Sequence, residues 1–241
     1  MKTSRRRIIL ALCSGVLLGL WQSMSVAAQP LKITVYGGTG RIGQRIVDEA
    51  LSRGHTVTVV VRNPSPTAAE RPRLTVIKGD ILDTQGVTEQ MAGQDAVVSA
   101  VSGFNLGEDF FPKVAQSLVT AARGVSGKAP RVLWVGGASS LPEEPGGKAQ
   151  VEINPKALPF QKGKLDSLKY FGDVKDVSWT ILNPPTNIDP GTRTNKFRVG
   201  NDVLLKDAQG ESRISMEDFA VALLNEIEKP KHVHSQFTVA Y

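Results

Sequence analysis

Gly37-Gly38-Thr39-Gly40-Arg41-Ile42-Gly43 joins two segments of different periodicity. Upstream, Leu31-Lys32-Ile33-Thr34-Val35-Tyr36 is apolar and β-branched, as a strand is. Downstream, Ile42, Ile46, Val47, Ala50 and Leu51 recur at helical spacing, and Gly54 stops the run. Thr56-Val57-Thr58-Val59-Val60-Val61 then reads as a second strand. Strand, glycine turn, helix and strand within roughly 30 residues is the unit that holds a dinucleotide. Gly37 is expected to permit the tight turn, Gly40 to let a pyrophosphate approach the backbone, and Gly43 to let the helix pack against the strand. The helix N-terminus would hold the anion. Thr39, Arg41 and Ile42 lie between these glycines and are counted with them as cofactor contacts. A glycine turn that binds nothing is the plainer reading, but both flanking strands and the helix agree with the first.

The glycines are spaced Gly-x-x-Gly-x-x-Gly. Read as Gly-Gly-Thr-Gly-Arg-Ile-Gly, the turn resembles that of the extended and atypical short-chain dehydrogenase/reductases, which include the NmrA-like NAD(P)-binding proteins. Where an NAD-binding chain usually carries an acid about 20 residues beyond the glycines, this one has Arg62. Arg62 and Arg41 suit a 2′-phosphate, so NADP(H) is favoured over NAD(H), although both also read as surface arginines.

The 241 residues suffice for one α/β domain with a buried core. The formal charge is +6, but Lys2, Arg5, Arg6 and Arg7 supply four of those charges. The rest are scattered, so no nucleic-acid surface is read from the basic balance. Those four residues, the apolar stretch Ile8 to Trp21 and the small residues Ser25-Val26-Ala27-Ala28 follow the order of an export signal. Residues 1–28 are read as that signal, with a twin-arginine-like start, and 29–241 as the domain. Export, most simply to the periplasm, is expected; an uncleaved N-terminal anchor is the alternative, and either leaves the domain outside. Only this segment is expected to meet a membrane. The single cysteine, Cys13, lies within it, so the mature chain has no thiol or disulfide chemistry. His55, His232 and His234 have no zinc spacing, and no metal is expected. The sequence sets no oligomeric state.

Further strands are read at 74–78, 95–101, 131–136 and 178–182, a closing one at 236–241, and helices at 84–92, 111–123, 161–171 and 216–228. This alternation predicts a Rossmann-type, doubly wound parallel sheet in a single domain. Asp80 and Ile81 border the adenine in the resemblance, whereas Asp83 caps the helix after them. Ser102 and Gly103, at the end of the fourth strand, face the nicotinamide half by the same resemblance. Ser139 follows the fifth strand, where short-chain reductases place a catalytic serine; a serine in a polar loop is the alternative. Residues 141–160 carry four prolines and read as a long loop over the substrate.

Residues 179–185, 190–194, 213–220 and 237–241 resemble the NAD(P)H-binding family of NADH-flavin-reductase-like proteins and, more distantly, the biliverdin-IX beta/flavin reductases. Segment 183–241 is then the small substrate-side part. Ser215-x-x-Asp218 reads as a helix cap, with Ile214 and Phe219 as its hydrophobic staple. The Tyr-x-x-x-Lys helix of many short-chain reductases is absent: four residues beyond Tyr170 stands Val174. Lys164, Lys169 and Tyr170 remain as candidate proton donors. The expectation is a hydride transfer from NAD(P)H to a flavin, quinone or similar small conjugated acceptor. A non-catalytic NADP-binding sensor, and an epimerase or dehydratase with retained cofactor, are the alternatives.

Overall fold

Alternation within each strand decides which face a helix covers. In the computed structural model, which describes residues 29–64, 71–149 and 157–241, β1 (Lys32–Tyr36) turns Ile33 and Val35 to one face and Tyr36 to the other. β5 (Arg131–Val135) does the same with Leu133 and Val135 against Val132 and Trp134. Both faces are apolar, as a parallel sheet covered twice requires. The remaining strands are β2 (Thr56–Val61), β3 (Leu74–Lys78), β4 (Ala96–Ser99), β6 (Trp179–Asn183), β7 (Asn187–Asp189), β8 (Arg198–Gly200), β9 (Arg213–Ser215) and β10 (Ser235–Ala240). The main sheet runs β3-β2-β1-β4-β5-β6-β10-β8. It is parallel throughout except that β8 pairs antiparallel with β10. β7 and β9 form a separate parallel pair. This is the expected doubly wound, Rossmann-type fold.

α1 (Arg41–Ser52) and α5 (Met216–Glu228) cover one face. Ile46, Val47, Ala50 and Leu51 of α1 meet Phe219, Ala220 and Leu223 of α5 in one buried cluster. α2 (Thr84–Met91), α3 (Phe110–Gly124) and α4 (Leu158–Asp173) cover the other, around Phe111, Trp134 and Phe171. Burial of each such side chain contributes about 1.5–3 kcal/mol.

Several boundaries differ from the sequence reading. α4 begins at Leu158 rather than 161, because Pro159 occupies its first turn, where a missing N–H leaves no bond unmade. β4 stops at Ser99. The 141–160 stretch is therefore part loop and part helix, and residues 150–156 of it lie outside the described residues. So does the export segment 1–28. Within segment 183–241, β10 lies inside the main sheet between β6 and β8. Among the described residues, no helix is long and apolar enough to cross a membrane.

Candidate functional site

β1 and β4 are neighbours, yet the chain leaves β1 for α1 on one face and β4 for α3 on the other. Ligands of open α/β sheets enter at such a divergence, at the carboxyl ends of the strands. Here the two connections touch. Gly37 has φ +77°, and a Cβ on it would lie 2.5 Å from the Ala100 carbonyl oxygen. A Cβ on Gly43 would lie 2.0 Å from the Gly37 carbonyl oxygen, so Gly43 packs on the turn itself. Gly40 is different. It is exposed, and a Cβ there would meet only the Gly37 oxygen, at 3.2 Å. Its missing side chain leaves bare backbone facing outward.

Gly40 is also the N-cap of α1, and this end has no side-chain cap and no acid in its first turn. α3 and α4 also lack a side-chain cap, but α1 alone of the three opens from the glycine turn, and α2 and α5 show what a capped end looks like. Asp83 caps α2, accepting from the Gly86 N–H at 3.2 Å. Ser215 caps α5, accepting from the Asp218 N–H at 3.0 Å, with Glu217 and Asp218 in the first turn. First-turn N–H groups have no partner within a helix. At α1 they remain available, within a glycine turn, to an anion such as a cofactor diphosphate. The residues present fit that group.

Two arginines flank this end. Arg41 Nη2 lies 3.0 Å from Asp189 Oδ1 of β7, and both side chains are largely exposed. Arg62, just beyond β2, is exposed. Ile42 is half-buried against the core and Thr39 exposed. Asp80 is exposed, with its Oδ1 accepting from the Leu82 N–H at 2.9 Å, while Ile81 is buried. Asp80 and Asp83 thus use separate partners.

At the ends of β4 and β5 the expected residues divide. Ser102 is exposed at the cleft, but Gly103 is buried: a Cβ on it would lie 2.3 Å from the Phe110 ring. Its part is to admit Phe110 rather than to face a ligand. Ser139 lies in a short 3-10 turn, Ala138–Ser140. That turn is braced by Asn183 of β6, whose Oδ1 accepts from the Gly137 N–H at 3.1 Å and whose Nδ2 donates to Gln236 Oε1 at 2.7 Å.

Lys164 of α4 reaches the same strand end. Its Cγ is 3.8 Å and the Ser139 hydroxyl oxygen 3.6 Å from where a Gly137 Cβ would stand. Its amine is buried, donates to the Val135 carbonyl at 2.7 Å, and sits 4.0 Å above the Phe111 ring and 5.0 Å from that of Trp134. Burial pulls its pKa down to about 7. The aromatic faces oppose this by favouring the cation.

Tyr170 does not join Ser139 and Lys164. It stands six residues further along α4, its ring against Phe171 and its hydroxyl near Arg123 in the last turn of α3, towards the opposite ends of these helices. Lys169 is a surface residue 3.4 Å from Asp166. Tyr36 is buried, and its hydroxyl donates to Gln90 Oε1 at 2.5 Å; burial, with Asp83 nearby, pushes its pKa up. The histidines are engaged within the fold. His55 Nδ1 accepts from the Leu31 N–H, so Nε2 carries the proton towards Glu228, and His232 Nδ1 lies 2.9 Å from Glu226. No group of three or more metal-ligating side chains forms among the described residues.

One feature escaped the sequence reading. The segment Pro190–Asn195 is clasped to α1 and α5. Arg193 makes two 2.8 Å bonds to the buried carboxylate of Glu49, which Arg53 also holds at 2.8 Å. Burial raises the Glu49 pKa, but the bonds from Arg193 and Arg53 outweigh it and hold the group below its ordinary value. The fully buried Asp218 accepts from the Thr194 N–H and hydroxyl, the Asn195 N–H and the Tyr241 hydroxyl. Glu217 accepts from the Gly191 N–H at 2.7 Å and from Arg45 at 3.1 Å. An acid on the apolar stripe of α1 was the available clue. The cap reading of Ser215-x-x-Asp218 holds, and Ile214 and Phe219 share one cluster, but Asp218 does more than sit beside a cap.

Comparison with known proteins identifies the family and bears on the fold. A family model described as NAD(P)H-binding matches residues 37–229. A solved structure from Burkholderia pseudomallei, described as a "Putative exported protein", is 38% identical, with TM-score 0.75, covering 88% of this chain and 100% of that one. A "putative epimerase" from Bacteroides thetaiotaomicron is 35% identical, with TM-score 0.79, covering 88% and 98%. A "putative NADH-flavin reductase" from Streptococcus pneumoniae is 27% identical, with TM-score 0.74, covering 87% and 99%.

Proposed function

Because this chain belongs to the NAD(P)H-binding family, we propose that it is an exported reductase that passes hydride from NADPH, in preference to NADH, to a small conjugated acceptor such as a flavin or quinone. The observation that carries the reading is the uncapped N-terminus of α1 inside the glycine turn, at the divergence of β1 and β4, with Arg41 and Arg62 beside it. That end supplies N–H donors to a diphosphate, and the arginines supply charge to a 2′-phosphate. The Streptococcus relative's description supports the acceptor class. The order of residues 2–28 and the description of the Burkholderia relative support export.

A bound reduced nicotinamide supplies a hydride, two electrons with one proton, and a proton from water completes reduction of the acceptor. The chain's own contribution is placement, which accounts for about 7–11 kcal/mol of barrier when reacting groups are well oriented. Asn183 fixes the Gly136–Gly137 backbone that carries Ser139. Lys164 holds the end of β5 through the Val135 carbonyl. With its amine committed there and covered by aromatic rings, Lys164 acts as a positioning residue.

The test is NADPH consumption by the purified protein against flavins and quinones. Steady oxidation at 340 nm is expected with at least one acceptor, and none with any of them overturns the reading. The Bacteroides relative's description favours a second reading, an epimerase with retained cofactor, which consumes no NADPH while changing a substrate's configuration.

A further inference from the structure

Beyond the cofactor end lies an apolar surface that the hydride reading leaves without a role. Phe104 and Leu106 are 48% and 47% exposed, two apolar side chains in the short loop that follows Ser102 and Gly103. Exposed apolar groups in a loop at a strand end point to binding. The loop is seated firmly. The Glu108 carbonyl oxygen lies 2.5 Å from where a Gly163 Cβ would stand, so only glycine lets loop and helix approach this closely. Glu108 is also bonded to Lys162 of α4 at 2.9 Å. The Phe104 ring stands 5.8 Å from Phe160 of α4, and Phe160 meets the buried Phe111 edge-on at 5.1 Å. Phe111 is the ring beneath the Lys164 amine, which holds the end of β5. A continuous aromatic path therefore runs from the end of β5 to the outer surface of the β4 loop.

Resting on the reductase reading, we propose that Phe104, with Leu106 and Phe160, forms the binding face for the fused ring system of the acceptor, an isoalloxazine or a naphthoquinone. The face offers π surface and a methyl-bearing neighbour. The two carboxylates of the same segment are already paired, Glu108 with Lys162 and Asp109 with Lys113. A neutral, flat, polycyclic ring matches this chemistry.

Riboflavin fluorescence, which stacking on an aromatic ring quenches, reads the site directly. The full protein saturated with NADP⁺ is titrated with riboflavin. Phe104→Ala is expected to weaken binding about fivefold, the worth of one aromatic contact, and Phe104→Tyr to restore it. Thermal melting should not move, because the ring is half exposed. Equal riboflavin affinity in wild type and Phe104→Ala overturns the ring site, as does the lack of any quenching by the wild type. NADPH oxidation with the same flavins and quinones, menadione among them, is measured beside it. If the wild type consumes no NADPH but Phe104→Ala still weakens riboflavin, the reductase reading falls and the ring site stands. If it consumes NADPH while the variant binds riboflavin normally, the reverse holds.

Discussion

At the scale of single residues, the proposed preference for NADPH rests on charge beside the α1 N-terminus. Arg41 is tied to Asp189, but an exposed ion pair is worth only about 0–1 kcal/mol. Asp189 therefore competes weakly with a phosphate for Arg41 and adds a negative charge near it. Asp189→Asn should tighten NADPH about two- to fivefold, less so at high salt, measured by calorimetry. Arg62→Asp should weaken NADPH by roughly 2 kcal/mol, through lost attraction and new repulsion, and leave NADH little changed. Equal wild-type affinity for the two cofactors would remove the basis for both expectations. Lys164 makes a second residue-level prediction. Its folded pKa is about 7 against an ordinary 10.5, so between those values the unfolded chain holds a proton that the folded chain has released. The burial penalty is full below pH 7 and fades as pH rises, and wild-type stability should climb across that window. Lys164→Met should flatten the climb, its stability relative to wild type falling from pH 7 to 10 in denaturant titrations. A pH-independent difference would show that the amine stays charged in its aromatic box.

At the scale of elements, the glycines of one turn separate into two kinds. Gly43→Ala sets a Cβ 2.0 Å from a carbonyl of the same turn, and neither backbone can yield without moving β1 or α1. It should destabilise the fold by about 1–3 kcal/mol, as overpacking does. Gly40→Val meets one atom at 3.2 Å on an exposed edge, so the fold should survive and cofactor binding should be lost. Urea unfolding and calorimetry on the pair test this; normal binding by a folded Gly40→Val variant would place the dinucleotide elsewhere. The same turn shows why much of the architecture was legible. β1, α1 and β2 have periods of two and 3.6 over enough residues to be read, and the glycines punctuate them. β7, β8 and β9 are three residues each, too short for a period to declare itself. Pro159 read as loop although a first helical turn accepts it. The clasp joins Glu49 to Arg193 across 144 residues, and nothing local in either segment announces the other. Tyr170 illustrates the opposite error: a plausible residue type on the right helix, carried by the helical turn to the wrong end.

At the scale of the whole molecule, the fold constrains the route that the proposed export could take. The cofactor end is assembled from β1, β4 and β5, joined in one sheet, with Gly37 closed against Ala100. An unfolded chain has no such site, so cofactor can be acquired only by protein that has already folded. Nicotinamide cofactors are scarce outside the cytoplasm. A chain threaded unfolded across a membrane would therefore fold outside and stay empty, whereas a chain exported folded can carry its cofactor with it. The Ser4-Arg5-Arg6-Arg7 start favours the second route, and binding would further stabilise the folded passenger by about 2.7 kcal/mol at a cofactor concentration one hundred times its dissociation constant. Replacing Arg5, Arg6 and Arg7 together with lysine keeps the charge of the segment while removing every arginine pair. The expected outcome is that this variant folds, binds NADP(H) and remains in the cytoplasm, while exported wild-type protein, denatured and analysed by mass spectrometry, releases bound NADP(H). Normal export of the triple-lysine variant, together with an empty site in the exported wild type, would assign the chain to the unfolded route and to a role outside the cell that does not depend on a resident cofactor.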